Sequence, residues 1–119
     1  ISFTGRVSDG ELAQWMAGSL ATIYLPIDED FGLSPVESMS AGKPVLGVAD
    51  GGLLETILPD KTGWLLSADP SIDEIRSAVR SIEPDAARAM RADCEARAQE
   101  FGLPQFLHGI HDALHPEEA

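Results

Sequence analysis

Cysteine, lysine and aromatic side chains are all scarce in this chain of 119 residues. One cysteine, two tryptophans, one tyrosine and four phenylalanines are present, and eight Lys and Arg stand against 20 Asp and Glu. The lone Cys94 has no partner for an internal disulfide, which fits a reducing compartment. A formal net charge of -12 leaves out the basic footprint by which proteins neutralise nucleic-acid phosphates or anionic lipid, so neither is an expected partner of this chain. No apolar run approaches the roughly 20 residues of a membrane span. What is present is enough apolar sequence, 44%, to bury a core, in a length that suits one compact domain.

The chain does not begin with Met, and Ile1 to Gly5 reads as a short strand entering a glycine turn. We therefore expect a piece of something longer, with the first strands of the fold missing. Strand and helix then alternate, the mark of βαβ units around a parallel sheet. Ser8 and Glu11 form a capping box, and Leu12, Trp15, Met16 and Leu20 follow on one helical face. Thr22 to Leu25 is a short strand ended by Pro26. A second helix is expected with Ser34 as N-cap, Pro35 at its first position and Gly42 as its stop. Pro44 to Val48 reads as a buried strand opening into the turn Asp50-Gly51-Gly52. Leu53 to Leu58 is a short helix, and Trp64 to Leu66 a further strand. Ser71 and Glu74 repeat the capping-box pattern ahead of a stripe of Ile72, Ile75, Val79 and Ile82. Ala87, Met90, Cys94 and Phe101 form another stripe. Leu103, Phe106, Leu107, Ile110 and Leu114 mark the last helix, and Pro116 to Ala119 a frayed tail.

The chemistry concentrates in Glu29-Asp30-Phe31-Gly32-Leu33-Ser34-Pro35-Val36-Glu37. Two glutamates eight apart, one in a loop after a strand and one in the helix that follows, fall at the carboxyl ends of the strands, where α/β sheets bind ligands. Gly32 lets backbone approach a ligand, and unbonded N–H groups at a helix start hold phosphate or sugar oxygens. A carboxylate in such a crevice accepts from vicinal hydroxyls, which sugars and riboses supply.

These glutamates with Phe31-Gly32 between them, the later Ala41-Gly42-Lys43-Pro44-Val45, the Gly51-Gly52-x-x-Glu55 segment and Thr62-Gly63-Trp64-Leu65-Leu66 resemble the group-1 family of retaining glycosyltransferases of GT-B fold. The resemblance covers Ile1 to about Phe101. It implies an α/β, Rossmann-like parallel sheet flanked by helices, an incomplete C-terminal donor domain over residues 1–101, followed by a C-terminal helix and tail over 102–119. Carried over by position, Glu29 resembles the catalytic glutamate that meets the transferred sugar, and Glu37 the one that accepts from the donor ribose. Phe31, Gly32, Leu33 and Ser34 match the stretch facing sugar and diphosphate. Arg6 and Val7 lie in the turn that flanks the base. The variant resembles members that move mannose from GDP-mannose, with UDP-sugars as the other donors, to a sugar or lipid-linked acceptor. The resemblance implies no metal and no cofactor beyond the donor itself. It also implies an N-terminal acceptor-binding domain as partner and a cytoplasmic location, any peripheral attachment to the inner face of a membrane being made through that missing domain. The Arg and Lys that neutralise the donor diphosphate would lie upstream, so the isolated chain is expected to have little transferase activity. The alternative is a stand-alone or degenerate nucleotide or sugar-phosphate binding module.

Plainer roles stand beside these. Glu37, three residues after Ser34, is also placed to complete a capping box. Asp28-Glu29-Asp30 has the form of a D-x-D cation site, although the Phe-Gly that follows belongs to the metal-independent pattern. His108, His111 and His115 share one helix edge, with no carboxylate or thiol converging from elsewhere in the sequence, which favours a solvated edge over a metal site. Cys94 reads as a small core residue. Gly51-Gly52 fits either ligand-facing amides or a tight turn, and the last helix either an ordinary core helix or one that packs across domains. The acid excess on helix faces suggests the solvated surface of salt-adapted proteins.

Overall fold

Val45-Leu46-Gly47-Val48 carries no polar side chain, and in the computed structural model, which describes residues 1–116, it is a strand buried at every position. Ten elements are described in chain order: α1 (Asp9–Gly18), β1 (Thr22–Ile23), α2 (Leu33–Ser40), β2 (Val45–Val48), α3 (Leu53–Thr56), β3 (Gly63–Leu66), α4 (Ile72–Ser81), α5 (Pro84–Ala89), α6 (Arg91–Gln99) and α7 (Leu103–Leu114). The sheet is parallel, in the order β1-β2-β3. Thr22 aligns with Val45, and Val45 in turn with Gly63. A strand paired on both sides and covered on both faces has no water-facing position, which explains the unbroken apolar run of β2.

The core lies where α2 packs on α6 beside the sheet. Met39, Val45, Val48, Leu53, Ile57 and Cys94 meet there, with Met90 and Ala98 closing the side. The stripe expected on α5 and α6 is therefore the one that buries. Burial pushes the Cys94 thiol up to about 11, with Asp93 and Glu95 adding to the effect, so it packs as a neutral hydrophobe.

Local chemistry decides where helices begin. At α1 the capping box is complete: Ser8 Oγ accepts from the Glu11 N–H at 3.3 Å, and the Glu11 carboxylate accepts from the Ser8 N–H at 2.9 Å. Donation to the Glu11 carboxylate from the Ser8 N–H, and next from the Ser8 hydroxyl, holds this carboxyl below its ordinary value. At α4 only half of the box forms. Ser71 Oγ accepts from the Glu74 N–H, but the Glu74 carboxylate turns to the N–H and hydroxyl of Ser67 at the end of β3, at 2.7 and 2.8 Å. Two donors there outcompete one at Ser71. At α2 the expected N-cap is wrong. Gly32, in the left-handed region at φ 83°, is the cap, and Ser34 lies inside the first turn. Pro35 thus falls at the third position, where its missing N–H costs no helical bond.

Other departures concern the periphery. Ile1 to Gly5 forms no strand, and Phe3 is exposed. The short helix after Gly52 stops at Thr56 rather than Leu58, since the residues before Pro59 turn extended. The stripes on α1, α4 and α7 form as helical faces, yet none of these helices has a buried residue. The core-helix alternative for Leu103 to Leu114 is thereby excluded, its apolar side chains being 43 to 71% exposed. On α7, His108 pairs with Asp112 at 3.3 Å, and the rings of His111 and His115 lie 4.8 Å apart. Residues 117–119 of the expected tail lie outside the described residues. No described helix is long and apolar enough to cross a membrane.

Candidate active site

The loop between β1 and α2 leaves the sheet at the carboxyl end of β1, as expected for an α/β ligand site. Beyond the last paired strand residue, the Tyr24 N–H still donates to the Leu46 carbonyl at 3.0 Å, which fixes where the phenol reaches. Pro26 then turns the chain out. Asp28 takes φ 55°, a left-handed conformation that aspartate tolerates better than most residues.

Glu29 is the best-held side chain of this loop. Its Oε2 accepts from the Tyr24 hydroxyl at 2.5 Å and its Oε1 from the Gly32 N–H at 3.1 Å. The Tyr24 hydrogen bond, reinforced by backbone N–H groups of Gly32 and Phe31, holds the carboxyl below its ordinary value despite partial burial. The same bond, followed by desolvation and the charge of Glu29, raises the Tyr24 phenol above its own ordinary value. Glu29 is therefore a carboxylate at neutral pH, fixed in orientation and lying at the start of α2, where the helix dipole favours negative charge.

Glu37 differs in every respect. It is exposed, and its carboxylate has no hydrogen-bond or ion-pair partner among the described residues. The capping role weighed for it does not form, since α2 has no side-chain cap at all. Glu37 instead lines a cavity of about 450 Å³ between α1 and α2 with Asp9, Leu12 and Met16. Phe31 and Leu33 face another cavity, of about 650 Å³, walled by Phe101, Leu103 and Phe106. The main-chain N–H groups of Leu33 and Ser34, at the first turn of α2, have no acceptor among the described residues.

The structure thus brings Glu29, Phe31, Gly32, Leu33 and Ser34 into one turn and sets Glu37 one helical face away. Arg6 and Val7 precede α1, and no hydrogen bond or ion pair among the described residues ties Arg6 to the loop. Asp28 and Asp30 are exposed while Glu29 turns inward, and no described group of three His, Cys, Asp or Glu side chains is arranged around a metal-sized space.

Sequence reasoning missed one support and left a second open between two readings. Tyr24 orients Glu29, and the available signal was the chain's one tyrosine, placed at a strand end five residues before it. The second is Gly51-Gly52, which the structure assigns to close packing. A Cβ on Gly51 would stand 2.1 Å from the Glu29 carbonyl oxygen, and one on Gly52 2.3 Å from the Phe31 Cα. The Gly52 N–H donates to the Glu29 carbonyl at 3.0 Å. The site loop lies directly on the start of α3, and only glycine leaves room for it.

The model of the family "Glycosyl transferases group 1" matches residues 1–101. An alpha-1,3/1,6-mannosyltransferase of Dictyostelium discoideum is 41% identical over 76 residues, 63% of this chain and 18% of its own length. That of Schizosaccharomyces pombe is 36% identical over 88 residues, 72% of this chain and 17% of its own. A D-inositol 3-phosphate glycosyltransferase of Streptomyces scabiei is 30% identical over 103 residues, 86% of this chain and 23% of its own. Among solved structures, a sucrose-phosphate synthase of Thermosynechococcus elongatus superposes with a TM-score of 0.77 at 25% identity, over 98% of this chain and 30% of that one. The chain therefore spans about a fifth of the length of the curated relatives it matches.

Proposed function

Because the chain belongs to the group 1 glycosyl transferases, we propose that it is the donor-binding part of a retaining glycosyltransferase that moves a hexose, mannose from GDP-mannose, to a sugar or lipid-linked acceptor. The observation that carries this reading is Glu29, an ionised carboxylate fixed by Tyr24 and Gly32 beside the unbonded N–H groups of Leu33 and Ser34. A preoriented anion next to main-chain donors suits a substrate that presents hydroxyls to the one and phosphate oxygens to the other.

In this mechanism Glu29 accepts from hydroxyls of the transferred sugar, and its charge lies close to the positive character that builds at the anomeric carbon as the diphosphate leaves. The acceptor hydroxyl attacks from the same face and passes its proton to the oxygen of the departing diphosphate, so configuration is retained. Holding donor and acceptor in register supplies much of the acceleration. Glu37, with no competing partner among the described residues, accepts from the ribose hydroxyls. Phe31, Gly32, Leu33 and Ser34 line the sugar and diphosphate, and Arg6 and Val7 flank the base. No metal enters this scheme; neutralisation of the diphosphate falls to basic residues outside the 119, as does acceptor binding by a second domain. Contact with a membrane, where the acceptor is lipid-linked, is made by that domain and not by this acidic one.

Calorimetric titration of the intact enzyme with GDP-mannose and with UDP-glucose tests the assignment. Tighter binding of GDP-mannose, with mannose transfer on adding acceptor, is expected. Preference for UDP-glucose would overturn the donor, and binding without any transfer would leave a binding module.

A further inference from the structure

Among the described residues, three of the four arginines that pair with a carboxylate do so only with one on their own helix, a turn away: Arg76 with Asp73, Arg88 with Asp85 and Arg91 with Glu95. Their side chains are 53 to 73% exposed, and such pairs contribute little. Arg97 is built differently. Its side chain is 18% exposed, and besides pairing with Glu100 it reaches back across the sequence to α3. Its Nε donates to the Thr56 carbonyl at 3.2 Å, and a terminal nitrogen donates to the Glu55 carbonyl. One planar fork thus caps the last carbonyls of α3, at the helix end where a cation is favoured.

The opposite end of α3 is the part that holds the site loop. Gly52 donates to the Glu29 carbonyl, and a methyl of Leu53 would lie 3.1 Å from a Cβ on Gly32. Arg97 also reaches the loop by a second route. Its guanidinium carbon stands 4.8 Å over the centroid of Phe101, and the Phe101 ring meets Phe31 edge to face, with centroids 5.5 Å apart at 76°. Both routes converge on consecutive loop residues, Glu29 to Gly32. An arginine needed only for its charge would not require the fork on α3 and the aromatic face together.

We infer that Arg97 is a positioning residue for the site loop, gripping α3 with its guanidinium edge and Phe101 with its face so that Glu29 and Phe31 keep their places. It touches no reacting atom. Its consequence for turnover rests on the donor-site reading of Glu29, whereas its consequence for loop geometry does not.

Tyr24 supplies a reporter, since it is the chain's one tyrosine and its phenol is raised by the bond to Glu29, with Ser34 acting weakly the other way. Tyrosinate absorbance of the intact enzyme, taken as the difference from its Tyr24→Phe variant so that this phenol alone is read, is followed through an alkaline titration. Glu29→Gln sets the benchmark by bringing the midpoint down toward that of free tyrosine. Arg97→Met, which keeps the stem and loses the fork, is expected to bring it down at least half as far. Arg97→Lys should follow it, because a lysine keeps the charge but has no fork. A folded Arg97→Met chain with an unmoved midpoint overturns the inference. Should that variant fail to fold, Phe101→Leu, which breaks the aromatic route alone, is held to a measurable downward shift, and no shift overturns the inference equally. In the intact enzyme Arg97→Met should lower kcat roughly tenfold to a hundredfold with little change in donor KM. A shifted Tyr24 midpoint in an enzyme that transfers no sugar would sink the transferase reading and leave the positioning role standing.

Discussion

The inner layer of β2, α2, α3 and α6 and the outer helices α1, α4 and α7 all carry large apolar side chains, and the fates of those side chains are opposite. Met39, Leu46, Leu53 and Cys94 are wholly buried, whereas Trp15, Ile72, Phe106 and Leu114 are all more than half exposed. A stripe specifies that a helix forms and which face will seek cover; it does not specify that cover exists within the same chain. The candidate site lies on the inner layer, backed by α3, and its second glutamate, Glu37, is exposed and faces α1.

This contrast should be sharpest in paired truncations. Leu46→Ala removes a fully buried side chain of the central strand and is expected to lower unfolding free energy by roughly 2–5 kcal/mol in urea titration. Gly52→Ala comes next, at roughly 1–3 kcal/mol or more, because its Cβ must displace the backbone of Phe31. That variant should also lose the raised Tyr24 titration, linking the damage to the loop. Acidification acts on a smaller set of groups. Glu11, Glu29 and Glu74 all titrate below the ordinary value of 4.5 when folded. A depressed carboxyl contributes stability that is fully present above its unfolded value and is lost as pH falls through the folded one. Thermal midpoints should thus be level near neutrality and fall below about pH 4.5, less steeply in Glu29→Gln than in the parent chain. Leu107→Ala on α7 should have the least effect, within about 0.5 kcal/mol. A loss there as large as at Leu46 would erase the distinction between the two layers.

The parallel order, the buried strand, the complete cap at Ser8 and the Glu29 to Glu37 segment were all readable as residues, because each depends on local pattern. What was not readable depended on competition or on contacts distant in sequence. Gly32 displaced Ser34 as the cap of α2 since the chain needs a left-handed residue there. Ser67 drew Glu74 away from Ser71. The glycine pair could be read two ways until the loop was seen lying on it. Arg97 gave no signal at all, because the carbonyls it holds are 41 and 42 residues away.

The separation of the two glutamates is the centre of the account: one is fixed and ionised within the loop, the other stands on the helix with no partner among the described residues. Steady-state kinetics of the intact enzyme with Glu29→Ala and Glu37→Ala measure it directly. Glu29→Ala is expected to lower kcat with donor KM nearly unchanged, and Glu37→Ala to raise donor KM with the smaller change in kcat. The reverse pattern, or two variants indistinguishable from the parent, would contradict the assignment.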